Sequence, residues 1–175
     1  MGFCAVLYMV EMELPDRSRE DEWHKWYANH IAKLLSVDGF HASQRFISRT
    51  NTPSPFLAIH DVDGPEVFAS VSYKSVGGPS GTGEWQALMT NWYRNLFDGL
   101  DRMPELAMDQ HLVVFDEGSA APNGFADRIT WLSIAGLDRS AQHRGVLILE
   151  AGEDTNAFSE ISGARIFAPI TGKFQ

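Results

Sequence analysis

The stretch EDEWHKWYANHIAKLLSVDGFHASQRF, residues 20–46, changes its hydrophobic period once, from that of a helix to that of a strand. Trp23, Trp26, Tyr27, His30, Ile31 and Leu34 fall at the i, i+3, i+4, i+7 spacing of one apolar helix face. Lys25, Asn29 and Lys33 take the opposite side. Ser18 offers an N-cap, and acidic residues crowd the first turn, where the helix dipole favours them. Gly39 ends the helix, and a strand is expected from Phe40 to Arg49. In that strand Phe40, Ala42, Gln44 and Phe46 share one face, with His41, Ser43, Arg45 and Ile47 on the other. The segment therefore sets an imidazole, His30, on an apolar face beside a sheet. Such a histidine is either a packed core residue or the start of an active site.

Outward from this segment the pattern continues. Phe3–Glu13 reads as a strand stopped by Pro15, and Phe56–Val62 as another, with Phe56, Ala58 and His60 on one side. A loop at 51–55 precedes the latter, and a short helix is expected over Glu66–Tyr73. The run GGPSGTG, residues 77–83, reads as a flexible loop, a possible lid; it lacks a P-loop lysine. Apolar residues from Trp85 to Leu100 repeat at helical spacing and predict a second long helix, followed by a strand over Gln110–Asp116. Strand, helix, strand, strand, helix, strand is the ferredoxin-like α+β order, with both helices on one face of an antiparallel sheet.

The other sheet face is too apolar to meet water and needs a cover. The expected division is a ferredoxin-like domain over residues 1–117 and a remainder over 118–175. That remainder holds three strand candidates, Ile129–Ala135, Val146–Ala151 and Ala164–Ile170, and a helical piece near Asn156–Ile161. It is either a β-rich extension, leaving a homodimer to cover the sheet, or a degenerate second repeat that covers it within the chain. No clean repeat period decides between them.

Composition narrows the function classes. The chain has 175 residues, 44% hydrophobic, enough for a substantial core. Its net charge of -9 argues against nucleic acid and against an anionic membrane surface. The lone cysteine, Cys4, excludes an intrachain disulfide, and no apolar run would span a bilayer. The N-terminus lacks a basic n-region, so a cytoplasmic protein is expected.

The block WHKWYANHIAKLLSVDGFHASQRF, with the following PFLAIHDVDGPEVFAS, resembles the dimeric α/β-barrel superfamily, especially its EthD-like small members. The likeness rests on the WY-x-x-H pattern ending at His30 before a Gly-Phe turn, and covers residues 3 to 117. It departs from that group at Ala32, where a proline is common. It implies a ferredoxin-like homodimer. The superfamily spans cofactor-free monooxygenases, isomerases, cyclases and haem enzymes, so the resemblance names no reaction.

Among the side chains, His30 is the candidate general acid or base. Asp61 and Arg45 are candidates to orient polar groups, Arg45 as a bidentate carboxylate binder. His60 and Asp61 are neighbours in a strand and point to opposite faces, so they cannot form a dyad. Trp26, Tyr27, His60, Tyr73 and Trp92 are candidate walls of a site for a small organic ligand, although aromatic stripes at helical spacing are more often core. No histidine spacing makes a metal motif. No cofactor is expected; a haem would need an axial ligand, which His30 or His111 could supply. The expectation is a cofactor-independent enzyme of proton-transfer or monooxygenation chemistry. The alternative is a non-catalytic binding or structural dimer.

Overall fold

A computed structural model describes residues 4–116 and 119–175; Met1–Phe3 and Glu117–Gly118, and with them the expected 117/118 boundary, lie outside the described residues. The first strand, β1 (Val6–Glu13), is followed by a 3-10 turn at Arg17–Arg19 and then by α1 (Glu20–Leu35). Asp16, rather than Ser18, caps the start, its carboxylate accepting from Ser18 N. Trp23, Tyr27, His30, Ile31 and Leu34 are the buried residues of α1, as the spacing predicts. Next come β2 (Phe40–Ser48) and β3 (Phe56–Val62).

The segment between β3 and the fourth strand is broken into short pieces. It holds a 3-10 turn at Pro65–Ala69, then α2 (Val71–Val76), α3 (Gly78–Gly81) and α4 (Trp85–Leu88). The long helix expected over 85–100 is therefore a single turn, and Thr90–Asp98 is a strand, β4. The misreading has a geometric cause. Leu88, Trp92, Leu96 and Leu100 are four apart, and so are Trp85, Met89, Tyr93 and Phe97. A spacing of four fits a helix face, but it is also two periods of a strand. Within β4 only Trp92 and Leu96 of one series and Tyr93 and Phe97 of the other remain, and Tyr93 is exposed. Pairing with β1 decides the matter, with Tyr8 opposite Leu96 and Met9 opposite Asn95.

The remaining strands are β5 (His111–Phe115), β6 (Thr130–Leu137), β7 (His143–Leu149) and β8 (Ala164–Pro169), with the single turn α5 (Asn156–Ser159) before β8. All eight strands close into one barrel in the order β1-β3-β2-β8-β5-β7-β6-β4, every pair antiparallel. The run β4-β1-β3-β2 is the ferredoxin-like order, and β8-β5-β7-β6 repeats it. The second copy keeps the strands and has lost most of its helices, since only α5 and a 3-10 turn at Ala126–Arg128 accompany it. The strand at 110–116 thus belongs to this second half, paired with β7 and β8, and β4 takes the place the sequence reading gave it.

The cover for the first sheet comes from within the chain. Leu7, Met9, Phe46, Leu57, Ile59 and Phe97 of the first half pack on Leu112, Val114, Leu132, Val146 and Phe167 of the second. The barrel lumen is a filled core. A second copy is not needed to bury this face. On the outer face α1 and the short helices cover Val6, Tyr8, Val10, Met12, Phe56, Ala58 and Val62. A bulge in β2 between Phe40 and Ala42 turns Phe40 to this outer side, away from Gln44 and Phe46 with which strict alternation grouped it. Among the described residues, no helix is long and apolar enough to cross a membrane.

Candidate functional site

The candidate site lies between the outer sheet face and its helices. α1 contributes Trp26, Tyr27 and His30 from successive turns; β3 contributes His60, β1 Tyr8, α2 Tyr73 and β4 Trp92. Together with Met12, Leu34, Met89, Gly78 and Thr82 they enclose a cavity of about 20 Å³. That is room for about one water molecule. The sequence candidates Trp26, Tyr27, His30, His60, Tyr73 and Trp92 all meet here. Tyr8 and Thr82 are additions. Tyr8 was legible in the alternation Val6-Tyr8-Val10-Met12, but nothing in that strand marked its face as the one under α1. Thr82 belongs to the glycine-rich run, which closes over the cavity.

His30 stacks on Trp26 (ring centroids 5.0 Å apart, planes 11° apart) and meets Tyr27 edge-on. Burial, with Lys33 nearby, lowers its pKa to about 4. His60 stacks on Tyr8 at 5.1 Å, and its Nδ1 is 2.6 Å from Ser43 Oγ. Burial first, then the neighbouring His30 and Arg45, lower its pKa to about 3. Burial pushes the Tyr27 phenol up to about 12 against the opposing pull of Arg45. Burial likewise holds Tyr8 well above the ordinary tyrosine value, reinforced by Tyr73. At neutral pH the cavity thus holds two uncharged imidazoles and two uncharged phenols. Tyr73, also buried, stacks on Phe40, and its hydroxyl interacts with the Tyr8 phenol without making a well-formed hydrogen bond. A buried hydroxyl left unsatisfied costs about 1–3 kcal/mol.

The other two sequence candidates are elsewhere. Asp61 follows His60 in β3 and so faces the lumen, where it accepts from Met103 N (2.8 Å) and pairs with Lys173 Nζ (2.8 Å). The sheet separates it from His30. Arg45 is on the outer face but outside the cavity. Its guanidinium lies 3.9 Å from the Tyr27 ring centre and 4.8 Å from that of Trp23, with Nη1 3.0 Å from His24 Nδ1.

Among the described residues no group of three His, Cys, Asp or Glu side chains converges as a metal site would require. The closed cavity at His30 has no room for a porphyrin, and the His30 ring is stacked on Trp26. His111 begins β5 opposite Leu149, in the other half of the barrel.

No protein-family model matches the chain, and no curated protein matches it in sequence. Solved structures do match in shape. A protein described as a candidate chlorite dismutase superposes with a TM-score of 0.60 at 8% identity, over 97% of this chain and 96% of that one. A candidate monooxygenase from Fusobacterium nucleatum subsp. nucleatum gives 0.58 at 9% identity, over 100% and 96%. An anthrone oxidase-like protein gives 0.54 at 10% identity, over 99% and 93%. The likeness runs the length of both chains each time and shows the fold: an α+β protein of the dimeric α/β-barrel type, with both ferredoxin-like halves on one chain.

Proposed function

We propose that the protein is a cofactor-independent enzyme that removes a proton from a small, largely apolar or aromatic compound held against His30. The observation that carries this reading is a buried Tyr73 hydroxyl, without a well-formed hydrogen bond, in a cavity that also holds an uncharged imidazole. A neutral His30 can accept the proton from an acidified C–H, and the electron pair stays on the substrate as an enolate or phenolate. The hydroxyl can then donate to that oxyanion. The aromatic walls suit a planar ligand. The reading is supported by neighbours named as monooxygenases and as anthrone oxidase-like, and by the resemblance of the WY-x-x-H segment to EthD-like proteins.

The same intermediate leads to isomerisation, cyclisation or dehydration, or to monooxygenation if it meets dioxygen. In the last case one oxygen atom enters the substrate. For an anthrone the CH₂ becomes C=O and the second oxygen leaves as water, so dioxygen is the only oxidant needed. Substrate entry requires α2, α3 and α4 to move outward, because the closed cavity is too small. That small volume is the one observation favouring the alternative, a non-catalytic dimer with His30 as core.

Anthrone in deuterated buffer separates the readings. The enzyme reading expects exchange of the acidic C–H well above the buffer rate, and His30→Ala lowers it by about 10²–10⁴-fold with the fold retained. Oxygen uptake alongside exchange selects monooxygenation; exchange without uptake selects proton transfer alone. No exchange with anthrone or with other enolisable aromatic ketones, in a protein that binds them, would leave the binding reading.

A further inference from the structure

Arg45 is a buried cation without an anion. Its residue is 3% exposed, and among the described residues no carboxylate makes an ion pair with it. Glu20 reaches it only through His24, whose Nε2 lies 3.2 Å from Glu20 Oε1. That arrangement fixes the tautomer: Nε2 carries the proton given to Glu20, and Nδ1 accepts from Arg45 Nη1. Two π faces, Tyr27 and Trp23, replace part of the lost hydration. They leave Nη2 buried with no hydrogen-bond partner. Burial depresses even this guanidinium, to about 10, although Tyr27 and Glu20 oppose the shift. A buried charge in this state is normally paired.

Arg45 also lines a groove of about 210 Å³ between α1 and residues 170–174, where the other walls are His24, Ala28, Ile170, Thr171 and Phe174. Three of these are apolar. The tail is held in place by Ile170 N donating to Arg45 O, by Thr171 Oγ1 accepting from Arg45 N, and by the Ser43–Phe174 bridge. The groove is thus a built feature of the fold.

We propose that this groove is a second binding site, distinct from the cavity at His30, in which Arg45 recognises the carboxylate of a small molecule with an apolar body. Arg45 supplies the positive charge for a charge-assisted hydrogen bond, and Ala28, Ile170 and Phe174 cover the apolar part. The assignment stands on Arg45 and its groove alone, and it does not depend on the reaction at His30.

Benzoate is the probe, with benzamide as its uncharged isostere and sulfate as a bare anion. Titration followed by backbone amide shifts should give saturable changes at Ala28 and Thr171. Benzoate should bind at least tenfold more tightly than benzamide or sulfate. Arg45→Met should reduce benzoate to the benzamide level. Ala28→Trp, a change at an exposed helix position, fills the groove and should block benzoate while Arg45 stays; it serves if Arg45→Met does not fold. Equal binding of benzoate and benzamide would overturn the proposal. So would unchanged benzoate binding in Ala28→Trp, or shifts confined to Gly78 and Thr82 of the cavity. None of these three results would touch the exchange test at His30.

Discussion

At the scale of single residues, the cavity depends on groups kept uncharged. Tyr73→Phe removes a hydroxyl that makes no well-formed hydrogen bond and interacts only weakly with the Tyr8 phenol. Stability should stay level or rise by up to about 1 kcal/mol, because the penalty of an unmade hydrogen bond disappears. Exchange of a bound enolisable ketone should fall by about 10²-fold, the loss expected for one oxyanion donor. Urea unfolding and the exchange rate, measured on one sample, check both. His30 and His60 make a pH prediction. Their folded pKa values, about 4 and about 3, lie below the roughly 6.5 of an unfolded histidine. Below pH 6.5 the unfolded chain takes up protons that the folded one refuses. The stabilisation is complete above that pH and is lost as pH falls toward 4, at about 1.4 kcal/mol per histidine per pH unit. Urea midpoints between pH 7.5 and 4.5 should follow this slope, and replacing His60 by Gln should remove about half of it. Most of the cavity was legible in the sequence because spacing on α1 and alternation in β3 fix which side chains share a face. Asp61 and Arg45 lie outside the cavity: alternation sets Asp61 opposite His60, but nothing in the sequence says which of the two faces α1 covers or that Arg45 falls beyond the Tyr27 ring.

At the scale of elements, the cover of the cavity is built from pieces too short to be stable as isolated helices, α2, α3 and α4. They hold their shape by packing. Gly77 is a tight point: a Cβ there would collide with Tyr73 Cε2, although its backbone (φ -109°) would accept any residue. Gly77→Ala must therefore push the Tyr73 ring away from its neighbour. The expected cost is about 1–3 kcal/mol of overpacking. Acrylamide should also quench the cavity tryptophans Trp26 and Trp92 more strongly as the cover loosens. A loss of stability with unchanged quenching would mean that α2 shifts as a unit and the cavity stays shut. The sequence signalled this region by its glycines and serines, yet read it as a loop, since no local pattern shows that a run of single turns will pack against a sheet. β4 failed for the opposite reason. Its apolar residues four apart satisfy helix and strand equally, and the non-local pairing with β1 and β6 distinguishes them.

At the scale of the whole molecule, the two halves are joined by β2–β8, by β4–β6, by the buried Asp61–Lys173 pair and by a buried charge network at Glu11. Local periodicity could not reveal that closure, because the second half has dropped the helices that would have marked it as a repeat. The network crosses the halves. Glu11 of β1 pairs with Arg144 of β7 (2.8 Å) and with Arg165 of β8, and both arginines reach Asp116 (3.5 and 3.2 Å). Burial alone would raise the Glu11 pKa, but Arg144 and Arg165 together outweigh it and hold the carboxyl below its ordinary value. The stabilisation from Glu11 is therefore present above about pH 4.5, its unfolded value, and is lost as pH falls through the lower folded one. Glu11→Ala leaves two guanidinium groups sharing Asp116, which is half exposed and more distant. The expected loss is about 3–5 kcal/mol, the usual result of breaking a buried pair from one side. Glu11→Leu combined with Arg144→Met and Arg165→Met removes the charges together, and its stability should return to within about 1–2 kcal/mol of the parent. Urea unfolding of the three proteins at pH 7 distinguishes the cases. Full loss in both variants would mean that the network fixes the register between the halves, and that hydrophobic contact across the lumen does not suffice to close the barrel.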